Sequence, residues 1–87
     1  MVNEYLQTAI SFYQRKKLPQ ARKMFLEIYN DGTLEEKITA AFYLGKIAGI
    51  LQEKVNEVKT YFYFVILNGN DDFRGQAYME LGIYYRS

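Results

Sequence analysis

An 87-residue chain of which 49% is hydrophobic is too apolar for a disordered tail and is long enough for one domain with a single core. Because it has no cysteine or histidine, disulfide bonds, zinc sites built on those residues and catalysis by an imidazole base are excluded. The formal net charge of +1 gives no general attraction to nucleic acids or membranes.

Two helices are predicted in the first third of the chain. Apolar residues recur at helical spacing over residues 2–16, which predicts a first helix. Pro19 fits the first turn of a second helix, because its missing N–H group has no helical partner there. The run Asn30-Asp31-Gly32 predicts the end of that helix, with Gly32 in a left-handed conformation.

Three further helices are predicted after Gly32. Thr33 followed three residues later by Glu36 forms a capping-box pattern and predicts the start of the third. Residues 54–67 have helical spacing and predict the fourth, although residues 61–66 taken alone favour a strand equally well. Asn70 or Asp71 is suited to cap a fifth helix over residues 72–86.

The chain also resembles itself at a shift of 36 to 37 residues. A period of this length is typical of a solenoid built from helix pairs, which favours helix over strand for the fourth segment. The matching positions are Ala9, Gly45 and Gly82; Phe12, Ala48 and Tyr85; Ala21 and Val58; Phe25 and Phe62; Ile28 and Val65; and Gly32 and Gly69.

These units resemble the tetratricopeptide repeat, which reads Trp-x2-Leu-Gly-x2-Tyr, then Ala-x3-Phe, then Pro. The third unit has Tyr78-x2-Leu81-Gly82-x2-Tyr85, and the first has Ala21-x3-Phe25. The period is longer than the family's usual repeat of about 34 residues, and the proline is missing from every unit. The resemblance implies one all-α domain over residues 1–87, with five helices in antiparallel hairpins stacked as a short right-handed solenoid. An unrelated five-helix bundle is the alternative.

The resemblance implies a concave wall formed by the first helix of each pair. Its residues are mostly apolar, which suits the apolar face of an amphipathic helix and argues against a receptor for C-terminal carboxylates. We therefore expect a protein–protein interaction module; the alternative is that these residues only pack inside a closed bundle. The expected partner-binding residues are Leu6, Ile10, Tyr13, Phe42, Lys46, Met79, Ile83 and Arg86.

The fifth predicted helix is apolar almost all the way round, and such a helix is normally covered. Symmetric homodimers are the commonest oligomers, so we expect self-association through this helix. The expected contacts are Phe73, Leu81, Tyr84 and Tyr85.

Basic residues cluster near the first inter-helix turn, at Arg15, Lys16, Lys17, Arg22 and Lys23. The alternative function is therefore a small nucleic-acid-associated factor that binds phosphates through this cluster. A solvated surface explains the same cluster without any ligand.

The remaining motifs favour structural roles. Gly45-x3-Gly49 is expected to make room for an aromatic neighbour, and Asp71-Asp72 to stabilise a helix start rather than to bind a metal. No nucleophile, phosphate-loop or dinucleotide motif is found, so we expect no enzyme, no cofactor and no metal site. The longest apolar run, residues 61–67, is too short to span a bilayer, and a cytoplasmic protein is the simplest expectation.

Overall fold

A computed structural model describes residues 4–51 and 55–86, except for the side chains of Val55, Tyr84 and Arg86. Within these residues the structure has five helices joined by short turns and no strand, so the prediction of an all-α chain with five helices is confirmed. None of the described helices combines the length and apolarity that a membrane crossing requires. The helices are α1 (Glu4–Gln14), α2 (Leu18–Asp31), α3 (Leu34–Ile50), α4 (Val55–Asn68) and α5 (Asp71–Arg86).

The predicted starts of α3 and α5 are confirmed by their hydrogen bonds. The Thr33 Oγ1 atom accepts from the Glu36 N–H at 3.3 Å, and Glu36 Oε1 accepts from the Thr33 N–H at 2.9 Å, so the capping box of α3 is complete. Of the two candidates for α5, Asn70 provides the cap: its Oδ1 atom accepts from the Phe73 N–H at 3.0 Å. These caps satisfy backbone donors that have no partner within the helix.

The prediction of a left-handed cap at Gly32 is wrong. Gly32 has φ −76° and ψ 175°, which is extended backbone that any residue adopts. The left-handed residue is Lys16, with φ 63°, at the end of α1. There the N–H groups of Lys16 and Lys17 donate to the carbonyls of Tyr13 and Phe12, which is the Schellman pattern.

Gly32 is instead required for a close backbone approach. Its N–H donates to the Ile28 carbonyl at 2.7 Å, and a Cβ atom at Gly32 would lie 2.6 Å from that same oxygen. Gly69 has the same arrangement with the Val65 carbonyl, again at 2.7 Å and 2.6 Å. The ends of α2 and α4, which are 37 residues apart in the sequence, therefore share one local geometry.

The strand-like segment, residues 61–66, lies within α4. Val58, Phe62 and Val65 are buried at spacings of four and three residues, whereas Tyr63 is 47% exposed. Only a helix places those three side chains on one face, because a strand would alternate faces at every residue. Burial of that face therefore outweighs the local strand propensity of the aromatic run.

The core consists of two clusters that both include α3. One lies between α1, α2 and α3, and the other between α3, α4 and α5. Consecutive helices pack against one another, and α3 also contacts α5. The Tyr43 ring stacks on Phe25 at 5.0 Å and meets Tyr13 edge-on at 5.1 Å, so α3 is anchored to both helices of the first pair.

Candidate partner-binding groove

A small pocket opens between α3, α4 and α5. Its volume is about 180 Å³, which is below the roughly 300–1,000 Å³ typical of small-molecule sites and sufficient for one apolar side chain. The pocket is lined by Gly45, Lys46, Gly49, Ile50, Val58, Phe62, Glu80 and Ile83.

The base of this groove is formed where α3 carries glycine instead of a side chain. A Cβ atom at Gly45 would lie 2.8 Å from the Phe62 ring, so the ring rests directly against the α3 backbone. This confirms the expectation that the glycine makes room for an aromatic neighbour. Val58 and Phe62 are buried, whereas Ile50 and Ile83 are exposed, so the groove has an apolar base and an apolar rim.

Lys46 places a positive charge at the edge of the groove. Its ammonium group lies 5.4 Å from the ring centroids of Tyr13 and Phe42, and 5.9 Å from that of Tyr43. Aromatic ring faces attract a cation, so the three rings restrain the side chain while leaving it partly exposed. Glu80 of α5 also lines the groove, which therefore carries one charge of each sign.

Only some of the expected wall residues contribute to this groove. Lys46 and Ile83 line it, and Tyr13 contacts the Lys46 side chain. Ile10 is partly buried beside the first core cluster, and Met79 on α5 is 65% exposed. The side chain of Arg86 lies outside the described part of the structure.

Two wall residues were predicted wrongly, because Leu6 and Phe42 are buried. Leu6 belongs to the cluster between α1, α2 and α3. The Phe42 ring makes edge contacts with Phe62 and Phe73 at 6.1 Å and 6.0 Å, within the other cluster. Neither side chain is accessible to a partner, because Leu6 faces α2 and α3 within the first cluster and Phe42 faces α4 and α5 within the second.

The expected oligomer contacts on α5 also need correction. Leu81 is buried beside Ala77 against α3 and α4, and Phe73 is half-buried, so these two side chains hold α5 on the core. Tyr85 is 55% exposed, with the Lys59 ammonium group 5.6 Å from its ring centroid. The side chain of Tyr84 is not among those described.

The structure divides the basic cluster. Arg22 pairs with Glu57 across 3.9 Å, and the Arg15 guanidinium lies 5.1 Å from the Phe12 ring centroid. Lys16, Lys17 and Lys23 are exposed. An acidic side chain beside Arg22 reduces the positive potential that a phosphate backbone would meet.

A second depression is lined by residues of α1, α2 and α3 and of the turn between α2 and α3, namely Tyr5, Glu27, Ile28, Asp31, Gly32 and Glu36. Here the Tyr5 hydroxyl donates a hydrogen bond to Glu27 Oε2. That bond, together with desolvation and the nearby carboxylate charge, raises the pKa of Tyr5 above its ordinary value. The contact ties α1 to α2 near the end of the hairpin.

The sequence signalled part of the groove and missed the rest. Lys46 and Ile83 were expected from the resemblance to the tetratricopeptide repeat, and Gly45 was expected only to make room for an aromatic neighbour. Val58, Phe62 and Glu80 were not expected there, because they come from helices outside the predicted wall or from a different face of α5. The paired glycines at Gly45 and Gly49 were the signal that could have located the base.

Comparison of the chain with protein-family models, with curated proteins and with solved structures gave no significant match. The proposals below therefore rest on the residues and contacts of this chain.

Proposed function

We propose that this chain is a cytoplasmic protein–protein interaction module, of the adaptor, scaffold or chaperone-like class, which binds a polypeptide segment in the groove between α3, α4 and α5. The observation that carries the proposal is a pocket for one side chain, with a buried apolar base and an exposed apolar rim. Peptide-binding grooves typically hold a helix through a few anchor side chains in such pockets.

The charges around the groove define the kind of segment that fits. A large apolar anchor of the partner would lie on Phe62 and Val58, between Ile50 and Ile83. An acidic side chain beside that anchor would pair with Lys46, and a basic one with Glu80. Such charge complementarity contributes more to specificity and association rate than to affinity.

We also propose that the five helices form two and a half tetratricopeptide-like units. The support is the correspondence between α2 and α4. Ala21 and Val58, Phe25 and Phe62, and Ile28 and Val65 are all buried, and both helices end in the same glycine geometry.

The alternative function, nucleic-acid binding through the basic cluster, is favoured by one observation only: Lys16, Lys17 and Lys23 are exposed on neighbouring turns. The pairing of Arg22 with Glu57 argues against it. Salt-dependent binding of generic RNA at near-physiological ionic strength would support this alternative over the groove.

The test is a selection from a display library of helical peptides, with the purified chain as bait. We expect enriched peptides to share one large apolar residue next to an acidic one. Ile83→Glu removes an apolar rim residue, and Lys46→Glu replaces the cation at the edge of the groove with an anion. Each variant should therefore raise the Kd of the selected peptides about tenfold or more.

Leu67→Glu is the matched control for this test, because Leu67 is 77% exposed on α4 and does not line the groove. It should leave peptide binding unchanged. If all three variants bound the selected peptides equally well, the groove would not be the binding site.

A further inference from the structure

The outer side of α5 carries exposed tyrosines that alternate with glycines. Tyr78 and Tyr85 are 60% and 55% exposed, and Gly75 and Gly82, each three residues before one of these tyrosines, are also exposed. These four residues are spaced by three, four and three positions, which places them on one stripe of the helix. The groove residues Glu80 and Ile83 lie off this stripe, so it is a separate surface.

Among the side chains that the structure describes, none packs against either glycine. A Cβ atom at Gly45 would meet Phe62 at 2.8 Å, whereas a Cβ at Gly75 or Gly82 would meet nothing within 4 Å. Glycine weakens a helix interior compared with alanine. Their effect is to leave two shallow depressions on the exposed face, each next to a protruding tyrosine.

This pattern is complementary to itself when a second copy of α5 packs antiparallel. When the two helices cross at the level of residue 80 along their axes, residue 78 of one copy lies opposite residue 82 of the other, and residue 75 lies opposite residue 85. Each tyrosine then meets a glycine, and the two-fold axis repeats every contact. In a parallel pair, tyrosines would face tyrosines and glycines would face glycines.

The available area matches a small dimer interface. Tyr78, Tyr85 and the flanking Met79 are each more than half exposed, and with the glycines they offer about 500 Å² per copy. With all of this area covered, the pair would bury at most about 1,000 Å², which is at the lower limit for a specific interface. Lys59 contacts the Tyr85 ring from α4 and leaves 55% of the residue exposed for the second copy.

We propose that the chain forms a symmetric homodimer through antiparallel packing of the α5 stripe formed by Gly75, Tyr78, Gly82 and Tyr85. The occupant of this surface is a second copy of the same chain. This surface is separate from the peptide groove. The stripe, rather than the buried Leu81, forms the centre of the dimer contact.

The experiment is sedimentation equilibrium of the full chain over a wide concentration range. We expect a dimer that forms at micromolar concentrations. Gly82→Tyr should raise the dimer Kd by at least about 30-fold, because it fills the depression that accepts the tyrosine at position 78. Gln76→Tyr is the matched control: it adds the same side chain to an exposed position on another face of α5 and should leave the Kd unchanged.

A swapped variant tests the antiparallel register. Tyr78→Ala should weaken the dimer, and the double variant Tyr78→Ala with Gly82→Tyr should bind more tightly than Gly82→Tyr alone, because the new tyrosine then meets the new small residue. Circular dichroism checks that each variant keeps its helices. A wild-type chain that stays monomeric up to about 1 mM, or a swap that restores nothing, would overturn the proposal.

Discussion

The helices α3 and α5 are both apolar around most of their circumference, yet the structure buries them to different extents. Eight of the 17 residues of α3 are buried, whereas Ala77 and Leu81 are the buried side chains among those described on α5. The reason is position: α3 belongs to both core clusters, and α5 to one. Apolar residues around a helix indicate that burial of its surface is favourable. The neighbouring helices determine which of those residues are buried.

One pair of equivalent residues makes the contrast quantitative. Gly45 on α3 and Gly82 on α5 occupy matching positions at a shift of 37 residues. The Phe62 ring occupies the space above Gly45, whereas no described residue lies within 4 Å of a Cβ atom placed at Gly82. The same residue type therefore serves internal packing in one helix and leaves an accessible depression in the other.

The largest expected effect is on the α3 side of this comparison. Phe62→Ala should lower the free energy of unfolding by about 3–5 kcal/mol, because it leaves a cavity against Gly45 and Phe42. Urea denaturation measures the change, provided that the m-value stays constant. The control Leu67→Ala, at a residue that is 77% exposed on the same helix, should stay within about 0.5 kcal/mol of wild type.

Gly45→Ala should destabilise the protein by about 1–3 kcal/mol, because the added methyl group would lie 2.8 Å from the Phe62 ring. The same denaturation experiment measures it. A neutral result would show that the ring is not held against α3, and the contrast with Gly82 would then fail.

The two N-caps provide a comparison of global with local stability. Thr33→Ala and Asn70→Ala should each cost about 1 kcal/mol in their own helix, because each removes a side-chain acceptor from a backbone N–H. For Thr33 the loss should appear in global unfolding, since α3 lies in both clusters. For Asn70 it should appear mainly as faster amide hydrogen exchange in α5. If Asn70→Ala lowered the amide protection of α3 as much as that of α5, this distinction would be contradicted.

Gly82→Ala should have the opposite sign to Gly45→Ala. The monomer should become more stable by about 0.5–1 kcal/mol, because alanine favours the helix and its methyl group meets no atom within 4 Å. Thermal unfolding at a concentration low enough to prevent self-association measures this gain. Destabilisation would indicate that the space above Gly82 is occupied within the chain.

The smallest effect concerns α1, which is joined to α2 by the hydrogen bond from the Tyr5 hydroxyl to Glu27. Folding raises the pKa of Tyr5 through its bond to Glu27, so the bond stabilises the fold below the unfolded pKa of about 10. That contribution is lost as the pH rises through the folded pKa. Tyr5→Phe should remove this pH dependence, which paired ultraviolet and unfolding titrations would detect.

Local signals predicted the helices well, whereas the candidate site was predicted only in part. Lys46 and Ile83 were expected at a partner surface and do line the groove. Leu6 and Phe42 were expected beside them and are buried, because periodicity identifies an apolar face without showing how many neighbours enclose it. The base of the groove could not be predicted from one helix, since Phe62 reaches it from α4.

The sequence by itself determined the five helices and the starts of α2, α3 and α5. The Thr33–Glu36 capping box, the Asn70 cap and the helical periodicity act over a few residues, so they are visible in the sequence without the fold. The tertiary structure alone decided that Gly32 is extended, that Leu81 faces inward and that the α5 stripe faces outward. These outcomes depend on contacts between residues far apart in the chain, because burial depends on the surrounding helices rather than on the residue itself.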